Sequence, residues 1–238
     1  MSSDVTARKR SSAHLPKVWS SLLAVIAHPD EASTGLGAIL DAFVLADTRV
    51  EVLCLTHGQT WTLPGAPGDL AAMRGSQQAS AADVLGPSRV GLEDQPDGAL
   101  DEVGQTALAA EVVAVAGGCH PDGLLVFNTA AVNHTANTGA EAGYLDHAAA
   151  TSASLVAAEM LSLPVLGWTL PAVVAARLNH DLGVSQAGPG NQDIDLRATL
   201  DRARQRLASR VHESRALPGS DQWRRLQLLA DTESLVWL

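Results

Sequence analysis

Apolar residues in this chain fall into short continuous runs separated by longer segments of mixed polarity. SLLAVIA (21–27), RVEVLCLT (49–56), DGLLVFN (122–128) and LPVLGWTLP (163–171) are nearly unbroken, and SRVGLED (88–94) is shorter and more polar. Runs of this length and composition predict strands, the continuous ones covered on both faces. Between them the pattern predicts helices over 33–46, with Ser33 or Thr34 as cap, over 69–85, over 100–116 and over the Ala-rich 146–161. A charged helix is predicted over 197–213, and 220–238 reads as partly helical. Residues 129–143 read as a long polar loop and GVSQAGPGNQDIDL (183–196) as a flexible connection.

Strands alternating with helices predict right-handed βαβ units. The expected architecture is therefore α/β, a Rossmann-like three-layer fold with a mostly parallel sheet. Such sheets bind ligands beyond the carboxyl ends of their strands, and the polar residues gather there. HPDE (28–31) follows the first strand, HGQ (57–59) the second and DQPDG (94–98) the third. The loop with Asn133 and His134, and then Asp146–His147, follows the fourth. This convergence on one edge is the main sign of a site. A second HPD, at 120–122, precedes a strand, so it belongs to the opposite edge and reads as a surface turn.

The HPDE stretch suggests metal chemistry. Pro29 fixes the chain direction between His28 and Asp30. His28 and Glu31 are three residues apart at a strand-to-helix turn and can face one point. A catalytic zinc site needs three protein ligands and an open position for water. The third ligand has to come from another strand end, and His147 is the best placed. Asp30 then stands beside the metal water and accepts its proton. A capped helix start with a solvated acid pair accounts for His28 alone, but less well for His28, Asp30, Glu31 and a second Asp-His together. The glycines of GLGAIL lack the third glycine of a dinucleotide fingerprint and the acid expected after strand two.

Composition narrows the classes. With 238 residues, 46% hydrophobic and 18% charged, the chain can bury a large core. A net charge of −10 argues against nucleic acid or an anionic membrane as partner. Two cysteines, Cys54 in a strand and Cys119 in a loop, offer neither a disulfide framework nor a cysteine zinc cluster, which fits a reducing cytoplasm. No apolar run is long enough to span a bilayer. Residues 1–16 read as a flexible tail and 17–238 as a single domain.

AHPDEASTGLGA resembles the signature of the LmbE-like (PIG-L) N-acetylglucosaminyl deacetylases. Members carry His-Pro-Asp-Asp before a Gly-x-Gly helix start. The first Asp is the base, and His and the second Asp bind zinc. The resemblance implies His28 and Glu31 as zinc ligands and Asp30 as catalytic base. YLDH (144–147) resembles the His-x-Asp-His motif, whose last His is the third ligand, here His147. LTHGQ (55–59) resembles a Thr-x-Gly-Glu turn, MRGSQQASAADVLG (73–86) an Arg-bearing helix, EDQPDG (93–98) an Asp-x-Pro-Asp-Gly loop and HES (212–214) a His-x-Ser-Gln element. On this match Arg74 and Asp97 hold substrate hydroxyls, Asp146 orients a histidine from behind, and Tyr144 or His212 stabilises the oxyanion. The sequence departs from the pattern at Glu31 for Asp, at Tyr144 for His, and at Gln59 and Gln77 where acids are common.

The implied activity is a metal-dependent hydrolase, with Zn2+ or another divalent ion, removing an N-acyl group, acetyl above all, from an amino sugar or glycoconjugate. Two other readings stand beside it. One is a metal- or sugar-binding member that has lost deacetylase activity. The other is a non-haem iron oxygenase, because two histidines and one carboxylate also form that facial triad.

Overall fold

β1 (Ser21–Ile26) is buried at every position, and alternate residues feed two separate cores. Leu22, Ala24 and Ile26 belong to one, Leu23, Val25 and Ala27 to the other. Side chains alternate along a strand, so a strand covered on both faces must be apolar throughout. That is why the run SLLAVIA is continuous. This computed structural model describes residues 19–58, 70–87, 89–129, 140–182, 196–199, 202–212, 220–230 and 232–238. The expected tail, 1–16, lies outside them.

β2 (Arg49–Thr56) and β4 (Gly123–Phe127) flank β1 in parallel. β3 (Arg89–Gln95) pairs with β2, and β5 (Val165–Thr169) with β4, also in parallel. β6 (Leu196–Thr199) and β7 (Thr232–Trp237) complete seven strands in the order β3-β2-β1-β4-β5-β7-β6. β7 runs antiparallel to both β5 and β6. The sheet is thus mostly parallel, as expected, with an antiparallel edge the pattern does not announce.

On one face lie α1 (Glu31–Thr34), α2 (Gly37–Leu45), α6 (Ala172–Leu182) and α8 (Ser220–Leu229). They contribute Ala32, Ile39, Phe43, Val174, Leu178 and Leu229 to the first core. On the other lie α4 (Gln105–Cys119) and α5 (Ala140–Leu161), with Leu108, Val112, Ala153 and Ala157 in the second core. α3 (Leu70–Leu85) and α7 (Arg202–His212) meet through Ala81, Leu85 and Ala208. The three layers are those expected.

Several boundaries differ from the sequence reading. The helix expected over 33–46 is two, α1 and α2, broken at Gly35–Leu36. A Cβ at Gly35 would sit 2.7 Å from Phe127 Cζ, so close packing on β4 requires glycine there. Ser33 and Thr34 do not cap this helix; their hydroxyls donate back to Asp30 O at 3.0 and 2.9 Å. The helix expected over 100–116 opens as a 3-10 turn, Leu100–Glu102, before α4. α5 begins at Ala140, inside the expected loop. The charged helix expected over 197–213 starts at Arg202, because 196–199 pairs with β7. Thr232–Trp237 is strand while Ser220–Leu229 is helix, so 220–238 is helical over its first half only. α6 falls where the sequence reading places no element, although Val174, Ala175 and Leu178 lie at helical spacing on one buried face.

The second HPD lies at the amino edge of the parallel strands, as expected. Asp122 Oδ2 accepts from Ser20 N at 2.6 Å and Ser21 N at 3.1 Å and so pins the start of β1. Cys119 ends α4 as a buried residue. Among the described residues, no helix is long and apolar enough to cross a membrane.

Candidate active site

The strand order reverses between β1 and β4. The chain leaves β1 for β2 on one side, and β4 pairs with β1 on the other. Crevices at such a reversal are where open α/β sheets bind ligands, and the HPDE turn opens directly into this one.

The end of β2 holds that turn in place. Thr56 donates from both N and Oγ1 to Ala27 O, at 3.1 and 2.9 Å. Its Oγ1 then accepts from Gly58 N at 3.2 Å. Gly58 has φ +68°, and a Cβ there would meet Pro29 Cδ at 3.2 Å. Both the backbone conformation and the space therefore favour glycine. This accounts physically for a Thr-x-Gly turn beside a His-Pro turn.

Glu31 opens α1 and is buried. Its Oε2 accepts from Ala27 N at 3.0 Å and His28 N at 3.3 Å, the last amides of the strand end. Its Oε1 is left to face two rings, His28 Nδ1 at 3.1 Å and His147 Nε2 in close contact. Asp30 occupies the helix cap position, yet its side chain makes no capping bond. A capped helix start with a solvated acid pair therefore does not describe the turn.

His28 is braced from behind. Its Nε2 lies 2.9 Å from Asp146 Oδ2 and 3.2 Å from Asp97 Oδ1, and both carboxylates are almost fully enclosed. Asp146 also accepts from Gly98 N at 2.7 Å and Leu100 N at 2.9 Å. One buried carboxylate thus ties α5 to the loop after β3 and orients a ring that follows β1. The ring it orients is His28, not its chain neighbour His147.

His147 has its own support. Phe127, at the end of β4, stacks on it with centroids 5.2 Å apart and planes at 10°. Trp168, on β5, meets Phe127 edge-on at 5.3 Å. Tyr144 is one helical turn before His147, on the same side of α5, and its hydroxyl donates to Thr129 O at 3.4 Å.

The charges follow from this packing. Burial alone would lower the His28 pKa, but Asp146, Asp97 and Glu31 outweigh it, and it is pushed up to about 12. Burial would raise the Glu31 carboxyl, but the rings of His147 and His28 hold it well below the usual carboxylate range. Burial pushes the Cys54 thiol up, and the nearby charge of Glu31 adds to this. Its sulfur lies 3.2 Å from Thr56 O as a donor, so it behaves as a small buried hydrophobe.

His28, Glu31 and His147 each present one donor atom, all within 4.8 Å of one another. Nitrogen and oxygen donors about 2.0–2.2 Å from a tetrahedral zinc lie about 3.4 Å apart, so this set fits such an ion with little movement. The three expected ligands are therefore brought together, with Asp146 and Asp97 behind them. Arg74 lies on α3 and His212 ends α7; their side chains, like that of Gln77, lie outside the described residues. So do Gln59, Trp61, Asn133 and His134. His57 Nε2 is 3.9 Å from Asp94 Oδ1, at the strand edge. Sequence reasoning missed Phe127, Trp168 and the amides of Gly98 and Leu100. Apolar residues in apolar runs and unmarked backbone groups carry no local signal of such roles.

A sequence model of the PIG-L family, described as GlcNAc-PI de-N-acetylase, matches residues 23–158, which is more than half of the chain. No curated protein sequence matches significantly. Among solved structures, the A40926 pseudoaglycone deacetylase Dbv21 superposes with a TM-score of 0.65 at 19% identity, covering 92% of this chain and 96% of its own. The N,N'-diacetylchitobiose deacetylase from Pyrococcus horikoshii gives 0.64 at 15%, covering 93% of this chain and 85% of its own. The 4-carboxy-2-hydroxymuconate hydratase GalB from Pseudomonas putida gives 0.60 at 14%, covering 92% and 96%. At these identities the likeness is one of fold, and the fold carries more than one reaction. The matched span holds HPDE, the PDG loop and Asp146–His147, and on that match this chain belongs to the PIG-L family.

Proposed function

We propose that the protein is a metal-dependent N-deacetylase acting on an amino sugar or a glycoconjugate. The observation that carries this reading is the donor cluster of His28 Nδ1, Glu31 Oε1 and His147 Nε2, placed by three different elements at the strand reversal. The resemblance to PIG-L deacetylases implies a metal, and structural neighbours are deacetylases of the A40926 pseudoaglycone and of N,N'-diacetylchitobiose. A set of two imidazoles and one carboxylate suits zinc. The mixed α/β layers favour this chemistry over an iron oxygenase, which commonly sits on a β-rich barrel.

Zinc, when bound, supplies a Lewis acid that polarises the amide carbonyl and makes water acidic near neutral pH. The protein does the rest. Asp30 accepts the proton from the attacking water and returns it to the leaving amine. The Tyr144 hydroxyl, giving up its long bond to Thr129 O, donates its one proton to the oxygen on which negative charge develops, with His212 as a second donor. Arg74 holds substrate hydroxyls. Asp97 fits better as a second carboxylate behind His28 than as a reader of sugar hydroxyls, because its side chain is only 3% exposed.

Metal content tests the reading first. Elemental mass spectrometry of the purified protein is expected to find about one zinc per chain and little in His147→Ala. Wild type is then expected to release free amine from at least one member of a panel of N-acetyl sugars and glycopeptides. Unchanged metal in His147→Ala would remove that residue from the coordination shell. Metal without turnover on any substrate would favour a binding member of the family.

The proton on His28 adds a pH dependence. The ring stays a cation through neutral pH, and a metal at Nδ1 must displace that proton. Lower pH strengthens the competitor, so zinc affinity should fall roughly tenfold for each unit the pH is lowered, from pH 8 to pH 6 alike. Chelator competition between pH 6 and 8 checks it. A flat profile would mean that His28 binds no metal through Nδ1.

A further inference from the structure

Arg225, on α8, lies outside the span that the family model matches, yet it touches the supports of two of the three ligand residues. A four-residue helix leaves its last carbonyls without intrahelical partners. For α1 these are taken from the C-terminal helices. Arg225 Nη2 donates to Thr34 O at 2.8 Å, Gln205 Nε2 to the same oxygen at 3.3 Å, and Ser209 Oγ to Ser33 O at 3.3 Å. Glu31, the carboxylate of the cluster, is the first residue of that helix. The guanidinium of Arg225 also lies over the Trp168 ring, 5.4 Å from its centroid. Trp168 abuts Phe127, and Phe127 stacks on His147.

We infer that Arg225 is a positioning residue for the metal cluster. It holds α1, and so Glu31, by a charge-assisted hydrogen bond. It reaches His147 through two rings, Trp168 edge-on to Phe127 and Phe127 stacked on the imidazole. Ligands set on separate elements bind an ion tightly only if their spacing is preserved before the ion arrives, and outer contacts of this kind commonly set affinity. One guanidinium fastened to both supports fixes that spacing. Neither contact brings it to the reacting atoms, so its effect falls on metal affinity before it falls on chemistry.

This inference rests on the metal reading above, and the test separates the two. The zinc dissociation constant is measured with zinc alone, by competition with a chromophoric chelator, for wild type, Arg225→Ala, Arg225→Lys and Arg224→Ala. Arg224 sits on the same helix, but its hydrogen bonds among the described residues go to Asp181, at 2.9 Å, and to Gln227 rather than to α1. Arg225→Ala should bind zinc roughly tenfold more weakly, Arg225→Lys should recover part of the loss, and Arg224→Ala should match wild type. Arg225→Ala within twofold of wild type would overturn the inference, and so would an equal loss in Arg224→Ala. If circular dichroism finds Arg225→Ala unfolded, Phe127→Leu decides, because it removes the ring from His147 at the other end of the same chain of contacts. Wild-type affinity in Phe127→Leu would overturn the inference, and weakened binding would support it. A wild-type protein that takes up no zinc would overturn the metal reading, and this inference with it.

Discussion

Asp30→Asn is expected to lower deacetylation turnover by about 10^2–10^4-fold while leaving zinc content and thermal stability at wild-type values. The substitution keeps shape and removes the negative charge together with the capacity to accept a proton. On the proposed assignment it removes no ligand, since the candidate donor atoms there belong to His28, Glu31 and His147. It removes no helix cap either, because the Asp30 side chain makes no capping bond, and the bonds from Ser33 and Thr34 go to its backbone oxygen. Stability, metal and rate should therefore separate cleanly. Turnover, elemental zinc and a thermal melt on the same preparation check it. Full activity would place the base elsewhere; lost zinc would place Asp30 in the coordination shell.

Glu233→Ala should destabilise the fold by about 3–5 kcal/mol. Glu233 lies on β7 and Arg202 at the start of α7, and both are fully buried. Arg202 Nη1 is 2.6 Å from Glu233 Oε1, although its N–H directions do not align on that oxygen. The other carboxylate oxygen, Oε2, accepts from Trp168 Nε1 at 2.7 Å. Removing the carboxylate leaves a guanidinium in a dry interior, still tied to Gln205 and Ala230. It cannot shed its charge, so the desolvation cost already incurred goes uncompensated. For a chain of this size the melting temperature should fall by roughly 6–20 °C. Replacing both partners with apolar residues, Arg202→Met with Glu233→Leu, should recover most of the loss. A single variant that melts within about 2 °C of wild type would mean the pair contributes little.

Two of the three proposed ligands, His28 and Glu31, were legible in the sequence because they follow directly on a strand end, whereas His147 lies inside α5. Strand ends are marked by local chemistry, where an apolar run stops and polar residues begin. His28 and Glu31 could be chosen on that basis and His147 from the Asp-His pair that follows the fourth strand in the chain, and the resemblance to PIG-L deacetylases named roles for them. Roles that depend on direction were not legible. Asp146 precedes His147 in the chain but braces His28. Asp97 reads as a turn residue, yet it turns inward onto the same ring. A side chain's neighbours in sequence do not say which way it points once a helix and a loop have packed.

The same division runs through the fold. Five parallel strands and the layers around them follow from periodicity, because burial on both faces forces continuous apolar runs. The antiparallel edge, β7 and β6, does not. Glu233 and Ser234 are buried polar residues in the middle of a strand, and they break the alternation that would announce it. The Glu233 carboxylate is met by Arg202 and Trp168 from distant parts of the chain, and pairing with β5 engages the backbone of Ser234, while its hydroxyl has no partner among the described residues. Local pattern thus determined the layers, the edge where chemistry gathers and the residues capable of it. Tertiary structure decided which of those residues meet, what stands behind them and how the C-terminal helices hold α1. Those outcomes depend on contacts between segments far apart in sequence, which no local pattern of hydrophobicity encodes.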